Sequence, residues 1–190
     1  DNDLSKALDL SRGSLELKNN GASEWKVETA AVKAQRTFKL DESGYGAQVH
    51  YSFEFSGEAP KFIFLDLFGS PKRAADKEGS IFGQAPDKVK ISFRDLNGRH
   101  SEMAAQHKEN QESDADVKWL GLDTRYFVLA LVPVRESGIE FGAQVAPEDL
   151  GVPAVRGSLV FPTKGKKAVQ FSAKVYFGPK DMAALTRVDP

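Results

Sequence analysis

The sequence predicts an all-β fold built from two facing sheets, and three observations carry that prediction. Apolar residues recur at every second position over long stretches, turn residues punctuate the chain at short intervals, and helical periodicity is scarce. Period-two alternation is the pattern of a strand with one face in a core and the other in water. Repeated about eleven or twelve times in one chain, it predicts a sandwich.

In chain order, Leu15 and Leu17 precede the turn Asn19-Asn20-Gly21, and Trp25, Val27 and Thr29 follow it as the partner strand of an opening hairpin. Phe38 and Leu40 mark the next strand, which stops at Asp41-Glu42-Ser43-Gly44. The clearest strand comes after it. Tyr45, Ala47, Val49, Tyr51, Phe53 and Phe55 alternate with Gly46, Gln48, His50, Ser52 and Glu54, predicting a buried and a wet face. Ser56-Gly57 ends it. Segments 61–68 and 126–134 are apolar on both faces, which predicts central strands covered on both sides.

Shorter strands are expected at Val89, Ile91 and Phe93 before the Asn97-Gly98 turn, at Ile139 and Phe141 after Ser137-Gly138, and at Leu159 and Phe161 before Lys164-Gly165. The last strand sets Val169, Phe171, Ala173, Val175 and Phe177 against Gln170, Ser172, Lys174 and Tyr176. Gly178-Pro179 should then open a short C-terminal helix over about 179–188. Proline suits the first helical position, Asp181 complements the helix dipole, and Met182, Leu185 and Val188 fall on one face. Further helical turns are expected at 3–9 and 71–78. The polar stretches 69–80 and 99–116 read as long connections.

The chain has 190 residues, a size that predicts one domain spanning 1–190. A globule of this size buries roughly 70% of the surface of its unfolded chain, so it needs neither disulfide nor metal to fold. Cysteine is absent, which excludes a disulfide framework, a thiolate nucleophile and cysteine-ligated zinc. Lys and Arg total 26 against 27 acidic residues, interspersed along the chain. Nucleic acid is therefore not an expected partner, since binding it calls for a concentrated basic face. The densest basic cluster, Lys164, Lys166 and Lys167, reads as a solvated hairpin turn. No apolar run approaches the ~20 residues that cross a bilayer, so the chain is expected to be water-soluble. It begins at Asp1 without a start methionine or signal peptide, as though cut from a longer protein.

Catalytic sets are missing. His50 stands alone on the wet face of its strand, and His100 and His107, seven apart, fit no zinc-ligand spacing. The run Glu109, Glu112, Asp114 and Asp116 lacks the glycine of a calcium loop and reads as a solvated acidic segment. Neither a nucleophile elbow nor a phosphate or dinucleotide loop occurs. The sequence thus predicts a non-enzyme with no cofactor and no metal.

Two stretches are more specific than the pattern around them. Lys118-Trp119-Leu120-Gly121-Leu122-Asp123-Thr124-Arg125-Tyr126-Phe127, running through an apolar strand to Pro133, resembles a family motif of tryptophan, glycine and a Tyr-Phe pair. Tyr176-Phe177-Gly178-Pro179-Lys180, with Leu185 after it, resembles the strand-to-helix corner that closes the periplasmic domain of the YidC-type membrane protein insertases (the YidC/Oxa/Alb family). Thr37-Phe38-Lys39-Leu40, followed by Tyr45, Val49 and Tyr51, looks like a further family strand and its partner. Little separates the opening hairpin from Thr37, where larger enterobacterial homologues carry a long insertion.

The resemblance implies a β-supersandwich akin to galactose-mutarotase-like proteins, on the periplasmic side of the bacterial inner membrane and membrane-anchored in the full-length protein. It implies a protein-interaction and scaffolding role in insertion and folding of inner-membrane proteins. The implied partners are membrane protein substrates and components of the Sec translocon. The alternative on the same sandwich is a carbohydrate-binding or sugar-modifying periplasmic protein, which would need a general-acid histidine and a carboxylate base around a sugar. Trp119, Gly121, Tyr126, Phe127, Pro133, Tyr176, Gly178, Pro179, Lys180 and Leu185 are the structural or interaction candidates. Trp119, Tyr126 and Phe127 read as core packing in preference to a peptide cleft.

Overall fold

A computed structural model describes residues 14–17, 22–41, 45–69, 89–104, 109–113, 116–124, 126–135, 140–149 and 153–180. All regular structure among them is strand: β1 (Ser14–Leu17), β2 (Ala22–Glu28), β3 (Val32–Leu40), β4 (Gly46–Phe55), β5 (Phe62–Gly69), β6 (Lys90–Asp95) and β7 (His100–Ala104), then β8 (Gln111–Ser113), β9 (Val117–Asp123), β10 (Phe127–Val134), β11 (Gly142–Asp149), β12 (Pro153–Pro162) and β13 (Ala168–Pro179). They form an antiparallel sheet of nine strands, in the order β1-β2-β3-β4-β13-β10-β9-β6-β7, and one of four, β5-β12-β11-β8.

Alternation explains which faces meet. Val49, Phe53 and Phe55 of β4 and Val169, Phe171 and Ala173 of β13 point inward, while Gln48, His50 and Glu54 point out. Register pairs Phe171 with Tyr51 and Ala173 with Val49, so the inward rows of two adjacent strands make one apolar surface. The four-stranded sheet closes on that surface with Val145, Val155, Leu159 and Phe161. Phe171 sits at the junction. Its ring lies 4.5 Å from Phe161 and 5.0 Å from Tyr51, both stacked, and meets Phe141 edge-on at 6.3 Å. The sheets approach closely elsewhere too: a Cβ on Gly157 of β12 would lie 2.5 Å from the Ile91 side chain of β6.

A polar staple joins the sheets where the chain passes between them. One carboxylate oxygen of Asp116 accepts the Phe141 N–H at 2.8 Å, just ahead of β11, and the other pairs with the Arg135 guanidinium after β10. Arg135 also donates to the Val117 carbonyl at the head of β9. From β12 the chain returns to the large sheet through a turn with Lys164 at φ 53° and Gly165 at φ 73°. Two successive positive φ values, closed by the Lys166 N–H donating to the Thr163 carbonyl at 3.1 Å, make a tight turn that carries the chain from one sheet to the other. The exposed Lys164, Lys166 and Lys167 thus lie in a solvated turn, as their spacing indicates.

Four expectations change. Segment 61–68 is not central: β5 is an edge strand of the small sheet, and Phe62, Phe64 and Phe68 on its outer face are exposed. Stretch 99–116 contains β7 and β8, whose few apolar side chains include Met103, buried opposite Ile91. Alternation breaks at the end of β13, where Tyr176 is buried and Phe177 is 65% exposed. There the opposing sheet no longer covers the inner row, so facing inward ceases to mean burial. Finally, β13 runs on through Pro179, which is paired with Phe127, so no helix opens at 178–179. The remainder of that expected helix, and the turns at 3–9 and 71–78, lie outside the described residues.

Removing the Asp116 carboxylate leaves the Phe141 N–H and the Arg135 guanidinium short of an acceptor. Asp116→Ala is expected to lower unfolding stability by about 1–3 kcal/mol in urea titrations. Lys33→Ala, which breaks the exposed Lys33–Glu28 pair, should leave the urea unfolding midpoint essentially unchanged in the same assay.

Candidate interaction surface

The C-terminal corner explains its own sequence. Tyr176 turns its phenol along the strand and donates a hydrogen bond to the Pro179 carbonyl at 2.6 Å. The ring therefore lies over Gly178. A Cβ there would stand 2.7 Å from the Tyr176 hydroxyl oxygen and 2.8 Å from the Tyr45 ring. Only glycine fits beneath two tyrosines. Pro179 falls past the last β13–β4 pair, Tyr176 with Gly46, so its missing N–H removes no bond from that ladder. Lys180 does not simply reach solvent: its N–H donates to the Tyr126 carbonyl at 3.0 Å and its ammonium pairs with Asp123 at the end of β9. The corner is stitched to the neighbouring hairpin through both backbone and charge.

That hairpin carries the other motif. Thr124 caps its turn, donating its hydroxyl to the Phe127 carbonyl at 2.9 Å and accepting the Phe127 N–H at 3.1 Å. Trp119 and Gly121 share the outer face of β9; a Cβ on Gly121 would meet the Trp119 ring at 3.6 Å, an ordinary contact. The indole is partly buried and lies 5.9 Å from the His100 ring. Pro133 is buried opposite Ala173, beyond the last β10–β9 pair, Leu131 with Leu120. Packing therefore accounts for Pro133, whereas Trp119, expected in the core, lies half-buried on the outer face of β9 beside Gly121 and His100. Packing does not account for Tyr126, just before β10, and Phe127, at its start, which are 60% and 51% exposed. Leu185 lies outside the described residues.

The structure thus gathers Tyr126, Phe127, Tyr176, Gly178, Pro179 and Lys180 at one end of the large sheet, and leaves Trp119 and Pro133 farther along their strands. Sequence reasoning missed three members of this end, all exposed: Leu40, Tyr45 and Phe177. Their shared signal was position, since each lies beside a turn or strand end.

The titratable groups are arranged otherwise. His50 Nδ1 lies 2.9 Å from the Ser172 hydroxyl on the outer face, across the β4–β13 ladder. His100 opens β7, and His107 lies outside the described residues. No three histidine, aspartate or glutamate side chains converge as a metal site among the described residues. Burial pushes the Tyr51 phenol above its ordinary value, and the neighbouring Arg36 partly offsets this. Arg36 in turn lies 5.7 Å over the Trp25 ring.

Because Gly178 is constrained by contact, Gly178→Ala should destabilise the chain by about 1–3 kcal/mol. Tyr176→Ala removes the obstructing ring, so adding Gly178→Ala in that background should cost measurably less than in the native chain. Urea unfolding of the four proteins in this double-mutant cycle checks the coupling.

The fold is similar to a galactose mutarotase-like protein from Lactobacillus casei ATCC 334, with a TM-score of 0.56 at 12% identity, covering 87% of this chain and 72% of that one. It is also similar to the galactosidase domain of the alpha-galactosidase-sucrose kinase AgaSK, with a TM-score of 0.53 at 9% identity, covering 92% and 26%. At such identities the likeness concerns fold alone. In sequence, the chain is 28% identical over 155 residues to the membrane protein insertase YidC of Anaeromyxobacter dehalogenans (strain 2CP-C), covering 81% of this chain and 27% of that protein. It is 26% identical over 185 residues to the membrane protein insertase YidC of Legionella pneumophila (strain Corby), covering 90% and 30%. The chain spans under a third of the length of these relatives. The model of the YidC periplasmic domain family matches residues 11–190, and the chain belongs to that family.

Proposed function

We propose that this chain serves a YidC-type insertase as its protein-interaction and scaffolding module, on the periplasmic side of the inner membrane, as one domain over 1–190. The observation that carries this reading is the family match over residues 11–190, reinforced by relatives that are themselves named membrane protein insertases. Inner-membrane protein substrates and Sec translocon components are the partners this role implies. Binding without chemistry is in keeping with His50, whose hydrogen-bond partner is a serine hydroxyl rather than a carboxylate base. Tyr126, Phe127 and Lys180 are the motif residues best placed for contact; Trp119, Gly121, Pro133, Tyr176, Gly178 and Pro179 act by shaping the fold.

Deleting residues 1–175 from the full-length protein tests the role. Insertion of inner-membrane reporter proteins should slow, and translocon components should no longer co-purify with the insertase. Normal insertion together with undiminished co-purification would remove the binding role.

A further inference from the structure

Adjacent strands bring an unusual set of side chains to one end of the large sheet. Leu40 ends β3, Tyr45 precedes β4, Phe177 lies near the end of β13, Tyr126 precedes β10 and Phe127 opens it. All five are exposed, between 49% and 65%. Pairing fixes them together: the Phe177 N–H donates to the Tyr45 carbonyl, Phe127 is opposite Pro179, and the Tyr126 carbonyl accepts the Lys180 N–H. Four strands at ordinary spacing make this rim about 14 Å wide.

The opposite ends of the same strands are different. There Val32 and Phe55 are buried, while Lys164, Lys166, Lys167 and Arg135 face water. One end of the sheet is therefore aromatic and aliphatic, and the other charged, with Glu28, Glu54 and Glu58 exposed among its lysines. The rim side chains project from strand ends, a form suited to a flat surface, and the exposed Lys39 and Lys180 border them. Tyrosine and phenylalanine bordered by lysine is the composition that settles at a bilayer's headgroup boundary, where rings enter the apolar edge and polar tips stay wet. β13 itself ends with Pro179 at this same end.

We infer that this rim is a lipid-docking surface through which the domain rests on the outer leaflet of the membrane, with Phe127 and Phe177 entering the interface. The inference rests on the membrane-insertase reading above, which supplies the bilayer. A rim of this size gives weak, reversible contact that matters only when the domain is already tethered.

The absence of cysteine makes the test direct, because one introduced thiol can carry one fluorophore. The 190-residue chain, with a hexahistidine tag after Pro190, is tethered to vesicles of phosphatidylethanolamine and phosphatidylglycerol containing a nickel-chelating lipid. An environment-sensitive fluorophore is placed at Phe177→Cys, at Phe127→Cys, or at Lys164→Cys as the remote control. These exposed positions tolerate a label without touching the core. Spin-labelled lipid should quench the first two at least about threefold more than the third, which lies roughly 35 Å away along β13. Substituting serine at Tyr126 and at whichever of Phe127 and Phe177 is unlabelled should abolish the difference. Equal quenching at all three sites, or none, would overturn the proposal. So would a response at position 177 that follows protein concentration without vesicles, since the rim would then dock a second copy. Insertion defects from the deletion of 1–175 would stand in either case, so failure of lipid docking and failure of the scaffolding role are separable.

Discussion

The structure turns on Phe171. It belongs to β13, near the middle of the nine-stranded sheet, yet its ring is shared with the other sheet: Tyr51 and Phe53 flank it within its own layer, and Phe161 and Phe141 meet it from across the sandwich. Each aromatic contact of this kind adds about 0.5–1.5 kcal/mol beyond the area it removes from water. Two of the four cross to the other layer, so one ring ties the two sheets together. The Asp116–Arg135 staple fixes the same closure from the periphery, where the chain crosses from one sheet to the other.

β13 then carries that anchorage outward. Its inward row is buried from Val169 to Ala173 and becomes exposed at Phe177, because the covering sheet has ended. Tyr176 solves the resulting problem on the other face by folding over Gly178 and bonding Pro179, while Lys180 ties the end to Asp123 and the Tyr126 backbone. A strand held by the aromatic core at one point and by a stitched corner at the other presents its exposed rim on a stiff support. That is a suitable build for the proposed scaffold: the exposed rim residues are few, and the elements carrying them are set by the core.

How much of this was legible in the sequence depended on what each pattern encodes. Alternation reports which way a side chain faces, and it located β4 and most of β13 with their buried rows. It carries no information about where the opposing sheet stops, so Phe177 was expected inside and Tyr176 outside. Apolarity on both faces of 61–68 fits a covered central strand and equally an edge strand with bare phenylalanines; only the pairing, which is long-range, distinguishes them. β7, with few apolar side chains besides Met103, becomes a strand because β6 supplies its partner. At the candidate site, the sequence singled out the motif residues without their reasons, and the structure brings only some of them to one end of the sheet. Gly178 needs the third dimension to show that two tyrosines leave no room for a Cβ. Leu40 and Tyr45, from outside both motifs, join the rim only through register.

The account makes one core contact answerable for both sheets, and native-state hydrogen exchange on Phe171→Leu measures that directly. The substitution keeps an apolar side chain but removes the ring that the layers share. The account requires amide protection to fall together in β4, β12 and β13, and at the Tyr176–Lys180 corner that β13 supports. Loss confined to β4 and β13, with β12 and the corner fully protected, would contradict it.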